Sequence, residues 1–219
     1  MDNIKKNPLT KTISLWLLVF SALAGLSAAV AVEGAGPLEM LQGLTAQLIE
    51  IADSRPEVLD DPAELRKIAD EVVLPHVDFP MLSRRVLGKY WRNATLVQRE
   101  TFTVEFRELL LGTYLRSVSA YQGNSIRFLP LRTDVQHERV MVNALVEQKN
   151  GPPVNTAFRV HRVGGEWLIY DVIVEGISLV ATHRSSFSQV VHNHGIDGLI
   201  ERLRERNALN NGGQSGAVP

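Results

Sequence analysis

The chain has 219 residues, no cysteine, 23 basic and 24 acidic side chains and a formal net charge of −1. Without cysteine it forms no disulfide and carries no lipid-modified N-terminal cysteine, so a domain in an oxidising compartment must stand on its core alone. A balance this near neutral lacks the basic footprint of a nucleic-acid binder.

Lys5, Lys6 and Lys11 form a basic segment ahead of an apolar core from Ile13 to Leu26, and Ala29-Val30-Ala31 has the small-x-small pattern of a cleavage site. This predicts a signal peptide over 1–31, removed near Ala31. The apolar core is shorter than the roughly 20 residues a spanning helix needs. No twin-arginine pair is present, which favours export in the unfolded state. The remainder has 20 basic and 23 acidic side chains, a net of −3, and is long enough for one domain with a substantial core. No 20–50-residue repeat appears.

In chain order, Leu38, Leu41, Leu44, Leu48 and Ile51 recur at three- and four-residue steps and predict a helix from Pro37 to about Ser54. Asp61-Pro62 opens a second helix carrying Leu65, Ile68, Ala69 and Val72, and Asp78-Phe79-Pro80 opens a short third through Val86. Thr95 caps the longest helix, from Leu96 to about Ala120. Its apolar residues lie on two sides, Phe102, Phe106, Leu109 and Leu110 on one and Val104, Leu111, Leu115 and Val118 on another, so it reads as a central element.

Beyond Gly123 the period becomes two. Four strands are predicted: Ile126–Leu131, Arg139–Glu147, Val154–Val163 and Glu166–Val174. Pro130 suggests an edge position for the first, and Gly164-Gly165 a tight hairpin between the last two. A helix from Ser178 to Val191 and another opening at Gly195 follow. The tail from residue 210 to 219 is polar and glycine-rich, a composition of disorder. The expected organisation is one domain over 32–209, with helices over about 37–121, a sheet over about 124–175 and closing helices over about 178–208. Its class is α+β, an antiparallel four-stranded sheet packed against several helices.

No catalytic constellation stands out. His192 and His194 suit the C-terminal end of a helix better than a metal site, since no third ligand lies nearby. Asp171 and Glu175 share a strand face about 13 Å apart, too far for a paired-carboxylate mechanism. Asp171 reads as a partner of an arginine or a helix cap, Glu175 as a strand end. Ser185-Ser186 lacks the glycine-flanked turn of a nucleophilic serine. The fourth strand carries Ile169, Tyr170, Val172, Ile173 and Val174 on both faces, which demands cover on both. Two protein layers meet that demand, and so do one protein layer and a greasy ligand.

Three blocks in order carry a resemblance. Gly88-Lys89-Tyr90-Trp91-Arg92-Asn93-Ala94-Thr95, with Gln98-Arg99 and Phe106 through Tyr114, is the first; Tyr170 through Val180 is the second; Gly195-Ile196-Asp197-Gly198-Leu199 is the third. Together they resemble the signatures of the MlaC family, over about Leu38 to Asn207. The resemblance implies a periplasmic phospholipid carrier of Gram-negative envelopes, also known from toluene-tolerance operons. It implies two partners, an inner-membrane Mla ABC transporter complex and an outer-membrane lipoprotein–porin complex. It also implies a curved sheet wrapped against helices like a nuclear-transport-factor cone, with a deep hydrophobic cavity. Phospholipid would be cargo, with no cofactor, no metal and no enzymatic activity.

Two tails of about 16 carbons carry roughly 30 methylenes, whose exposure to water costs on the order of 24 kcal/mol. A carrier must therefore enclose them, in roughly 1,000 Å³. The expected lining is Leu110, Tyr114 and Val118 from the long helix, and Phe128, Val142, Ala144, Val146, Phe158, Tyr170, Val172 and Val174 from the strands. Arg159, Arg162 and Arg184 are candidates for the phosphate, though surface arginine is the simpler reading. Two other classes compete: an enzyme on a similar fold with Asp171 as base on a hydrophobic substrate, and a solid-cored envelope adaptor.

Overall fold

A computed structural model describes residues 35–118, 125–131, 137–148 and 151–212. The expected signal peptide, the end of the long helix beyond residue 118 and residues 213–219 of the expected tail lie outside these, whereas residues 210–212 of that tail continue the closing helix.

The helices are α1 (Pro37–Ser54), α2 (Pro62–Ile68), α3 (Phe79–Leu87), α4 (Leu96–Val118) and α5 (Leu179–Gly212). Their starts follow from local chemistry. Asp61 accepts the backbone N–H groups of Ala63 and Glu64 at the head of α2, with Pro62 at its first position. Asp78 accepts the Met81 N–H at 2.8 Å at the head of α3. Thr95 and Gln98 exchange backbone and side-chain bonds at 3.0 and 3.1 Å, a reciprocal capping box that starts α4. In α5, Gly195 has φ +71° and ψ −179°, so two helical pieces meet at a kink that only glycine adopts without strain.

Among the described residues the sheet has five strands, not the expected four, in the order β1 (Ser125–Phe128), β2 (Arg139–Glu147), β3 (Val154–Val163), β4 (Glu166–Val174) and β5 (Ile177–Ser178). All neighbours are antiparallel. The fifth strand is only two residues long, turned back by Glu175 and Gly176 in left-handed conformation (φ +49° and +79°), too short to show a period in the sequence. The first is shorter than expected: the Leu129 N–H still reaches the Asn143 carbonyl at 2.8 Å, and Pro130, with no N–H to donate, follows it. Register shifts between Arg159 and Val160, leaving Tyr170 as the extra residue of a bulge on β4.

Two hydrophobic clusters form the core. One joins α1, α2 and the turns around Val58 and Val72 to one sheet face through Leu41, Leu44, Ile68, Val140, Val142, Val160 and Ile169. The other is helical, with Leu82 and Val86 of α3, Phe102 and Phe106 of α4 and Phe187, Val191 and Leu199 of α5. Val77 packs against both. A bidentate Arg66–Glu108 pair, at 2.7 and 2.9 Å, ties α2 of the first cluster to α4 of the second.

Candidate functional site

Seven of the expected lining residues stand on one face of the sheet. Directly paired residues of an antiparallel ladder point the same way. The pairs Phe128–Ala144, Val142–Phe158 and Phe158–Val172 therefore align with Ala144–Thr156, Val146–Val154 and Thr156–Val174. This is the face that α1 covers, since Val142 and Val140 belong to the cluster with Leu41 and Leu44. Burial falls along it: Val142 is 0% exposed, Phe128, Phe158 and Val172 are half-buried, and Val174 is 45% exposed. The apolar face thus runs from closed core towards solvent.

The remaining expected residues are not brought to this wall. Leu110 packs against the helical cluster, because α4 turns its apolar sides to α3 and α5. Tyr114 is 46% exposed. Val118 closes α4, and its side chain lies outside the described part. Tyr170, released from the ladder by the bulge, lies edge-on to His161 at 5.2 Å and under the Arg85 guanidinium at 4.7 Å. His161 itself bonds Asp78 at 2.9 Å, and the Asp78 N–H donates to the Ile169 carbonyl, so the start of α3 is pinned to β3 and β4.

Asp171 is 1% exposed, and three donors share its two oxygens. Arg159 and the Ser178 hydroxyl reach Oδ2 at 2.9 and 2.7 Å, and the Val180 N–H reaches Oδ1 at 3.1 Å. Its acceptor capacity is spent on pairing and on capping α5, which is cap geometry and not that of a base open to substrate. Arg159 is likewise engaged. Arg184 donates to the Arg85 carbonyl at 2.7 Å, and Arg162 to the Gly165 carbonyl at 3.2 Å.

The opposite sheet face carries a groove of about 910 Å³, whose walls include Leu129, Leu131, Met141, Asn143, Arg159 and Ile173. Of its lining, sequence reading named Arg159, as a candidate for the phosphate, and Ala144, whose side chain stands on the other face. Met141 and Asn143 alternate with Val142 and Ala144, and their mixed polarity gave no signal of a site. The groove is not the deep apolar cavity expected: Asn143, Asn155 and Arg159 break its hydrocarbon surface.

The family model described as "MlaC protein" matches residues 42–205. The chain belongs to the MlaC family. Among its relatives is the intermembrane phospholipid transport system binding protein MlaC of Haemophilus influenzae, 25% identical over 193 residues, covering 86% of this chain and 90% of that protein. Another is the toluene tolerance protein ttg2D of Pseudomonas putida, 26% identical over 163 residues, covering 74% and 75%. The phospholipid-binding protein of Ralstonia solanacearum, solved in complex with a phospholipid, superposes with a TM-score of 0.75. It is 24% identical, and the match covers 81% of this MlaC family chain and 99% of that one. All three signature blocks read from the sequence lie within the matched stretch.

Proposed function

We propose that this protein is a periplasmic phospholipid carrier that shuttles lipid between an inner-membrane Mla transporter complex and an outer-membrane lipoprotein–porin complex. Membership of the MlaC family supports the class, as do relatives named for phospholipid transport and toluene tolerance. The observation that carries the reading is the graded apolar sheet face. Phe128, Val142, Ala144, Val146, Phe158, Val172 and Val174 line one surface that is sealed at Val142 and open at Val174.

Hydrocarbon tails bind where they replace water on apolar walls, and this face supplies such walls without polar interruption apart from Thr156. The groove on the other face, with two asparagines and an arginine, shields methylenes poorly. Admitting two tails requires the sheet face and its helical cover to part. Both lie within one cluster, where Leu41 and Leu44 of α1 meet Val140 and Val142, so the tails enter by displacing α1 from the strands. A bilayer interior is about as apolar as this wall, so transfer is nearly neutral in free energy and its direction belongs to the docked partners. Cleavage near Ala31 completes the reading and releases the domain into the periplasm.

Organic extraction and mass spectrometry of the purified mature protein test the proposal. Phospholipid is expected in the extract, and Val172→Trp, which fills the half-buried wall, is expected to lower its amount while the circular dichroism spectrum stays that of the parent. A protein that yields no phospholipid would be a solid-cored adaptor instead.

A further inference from the structure

The first family block, Gly88 to Thr95, is not part of the lipid wall. Between Asp78 and Glu100 the sequence carries Arg84, Arg85, Lys89, Arg92 and Arg99 and no carboxylate. The fold gathers this run around one turn, Gly88–Asn93, between α3 and α4. Arg184 of α5 joins it, its guanidinium bonding the Arg85 carbonyl and lying over Gly88.

No acidic side chain among the described residues pairs with any of these six cations. They are held by other means. Arg99 donates to the Trp91 and Arg92 carbonyls at 3.0 and 3.3 Å and stacks on the Trp91 ring at 5.4 Å. Lys89 lies over Tyr90 at 5.1 Å and Arg85 over Tyr170. The side chains of Arg84 and Arg92 make no polar or ring contact among the described residues and are exposed. Elsewhere Arg66, Arg127, Arg159 and Arg204 do sit on carboxylates, so the difference is local. In the same stretch Leu96 and Val97, at the start of α4, are 72% and 70% exposed. Of the nearby acids, Glu100 follows exposed, and Asp197 accepts the Gln98 amide at 2.9 Å.

We infer that this corner is a docking surface for an anionic bilayer. Two aliphatic side chains project from a helix start, flanked by cations that carry no counter-charge of their own. That arrangement matches the headgroup–acyl boundary, where apolar atoms insert and guanidinium groups meet lipid phosphates in bidentate fashion. Each cation near such a surface strengthens binding about fivefold, so five or six give on the order of a ten-thousandfold preference that salt weakens. Binding of this kind is strong enough to hold a carrier at a membrane and weak enough to release it. An acidic protein face would satisfy the charges but has no special use for the aliphatic pair.

The test is co-sedimentation of the mature protein with vesicles of phosphatidylcholine alone and of phosphatidylcholine mixed with phosphatidylglycerol. Binding to the mixed vesicles at low salt, lost at high salt, is expected. Replacing Lys89 and Arg92 with Gln should weaken it about fivefold per charge, and L96S with V97S about tenfold together. The phospholipid extracted from these variants should equal that of the parent, which separates failure of docking from failure of the carrier reading. Equal binding to both vesicle types, no binding to the mixed ones, or variants that bind as the parent does would each overturn the inference. Variants that ignore vesicles as the parent does, yet no longer exchange lipid with the membrane complexes, would assign the corner to an acidic protein partner.

Discussion

The carboxylate of Asp171, inside the sheet, accepts the backbone N–H of Val180 at the head of α5, so one buried side chain joins strand, turn and closing helix. Removing it with Asp171→Ala strands the Ser178 hydroxyl and the Val180 N–H, and frees Arg159 to solvent. The cost is expected at about 2–4 kcal/mol of unfolding free energy. Asp171→Asn keeps one acceptor oxygen for Val180 but sets an amide against Arg159, and about half that cost is expected. Urea denaturation gives both values. Phospholipid should still extract from the folded Asn variant, because the residue is a cap.

His183 leads to a pH prediction. Its ring packs against Phe106 at 5.1 Å and Phe187 at 5.4 Å, and burial, with a smaller contribution from the Arg206 charge, lowers its pKa. The folded state therefore prefers the neutral ring, while the unfolded chain takes up a proton near pH 6.5. Stability attributable to this group is complete above that pH and is lost as pH falls towards the lowered folded value. Urea midpoints measured downwards from neutrality should decline more steeply for the parent than for His183→Gln.

Much of this was legible because it is local. Asp61, Asp78 and Thr95 are cap residues by type and position, and all three cap. Gly164-Gly165 marked the β3–β4 hairpin, where both adopt positive φ (+59° and +96°). Gly195 marked the break in the closing helix. Alternation fixed β2, β3 and β4 to the residue and placed Val142, Phe158 and Val172 together. What stayed hidden is non-local. The period of α4 shows that Leu110 is inward, but not that its neighbours are α3 and α5 instead of the sheet. The bulge that turns Tyr170 out of the ladder depends on pairing with β3, which no single-strand pattern records. Asp171 was legible only as a pair of options, arginine partner or cap, and it is both.

Arg66 and Glu108 bridge the two hydrophobic clusters. Their bidentate contact is part-buried, so its coupling should exceed that of an exposed pair, at about 1–2 kcal/mol in a double-mutant cycle of Arg66→Ala with Glu108→Ala. Arg66→Lys keeps the charge but loses the fork, and should recover less than half of the coupling. The pair joins α2 to α4 and not α1 to the sheet, so Arg66→Ala should leave lipid transfer to acceptor vesicles at the parent rate. A faster transfer would place the opening at the contact of α2 with α4 instead.

The apolar sheet face should respond differently at its two ends. Val142 is wholly buried among Leu41, Leu44 and Val160, so Val142→Ala opens a void and should cost about 2 kcal/mol. Val142→Asp would bury an unpaired charge there and prevent folding, which makes it a poor probe of binding. Val174, at the open end, is 45% exposed, and Val174→Asp can keep its carboxylate hydrated in the free protein. Its expected effect is small on the thermal midpoint and large on the lipid recovered, because tails crossing that rim would meet a charge. A Val174→Asp variant that folds and still holds its full lipid load would place the mouth elsewhere on the sheet.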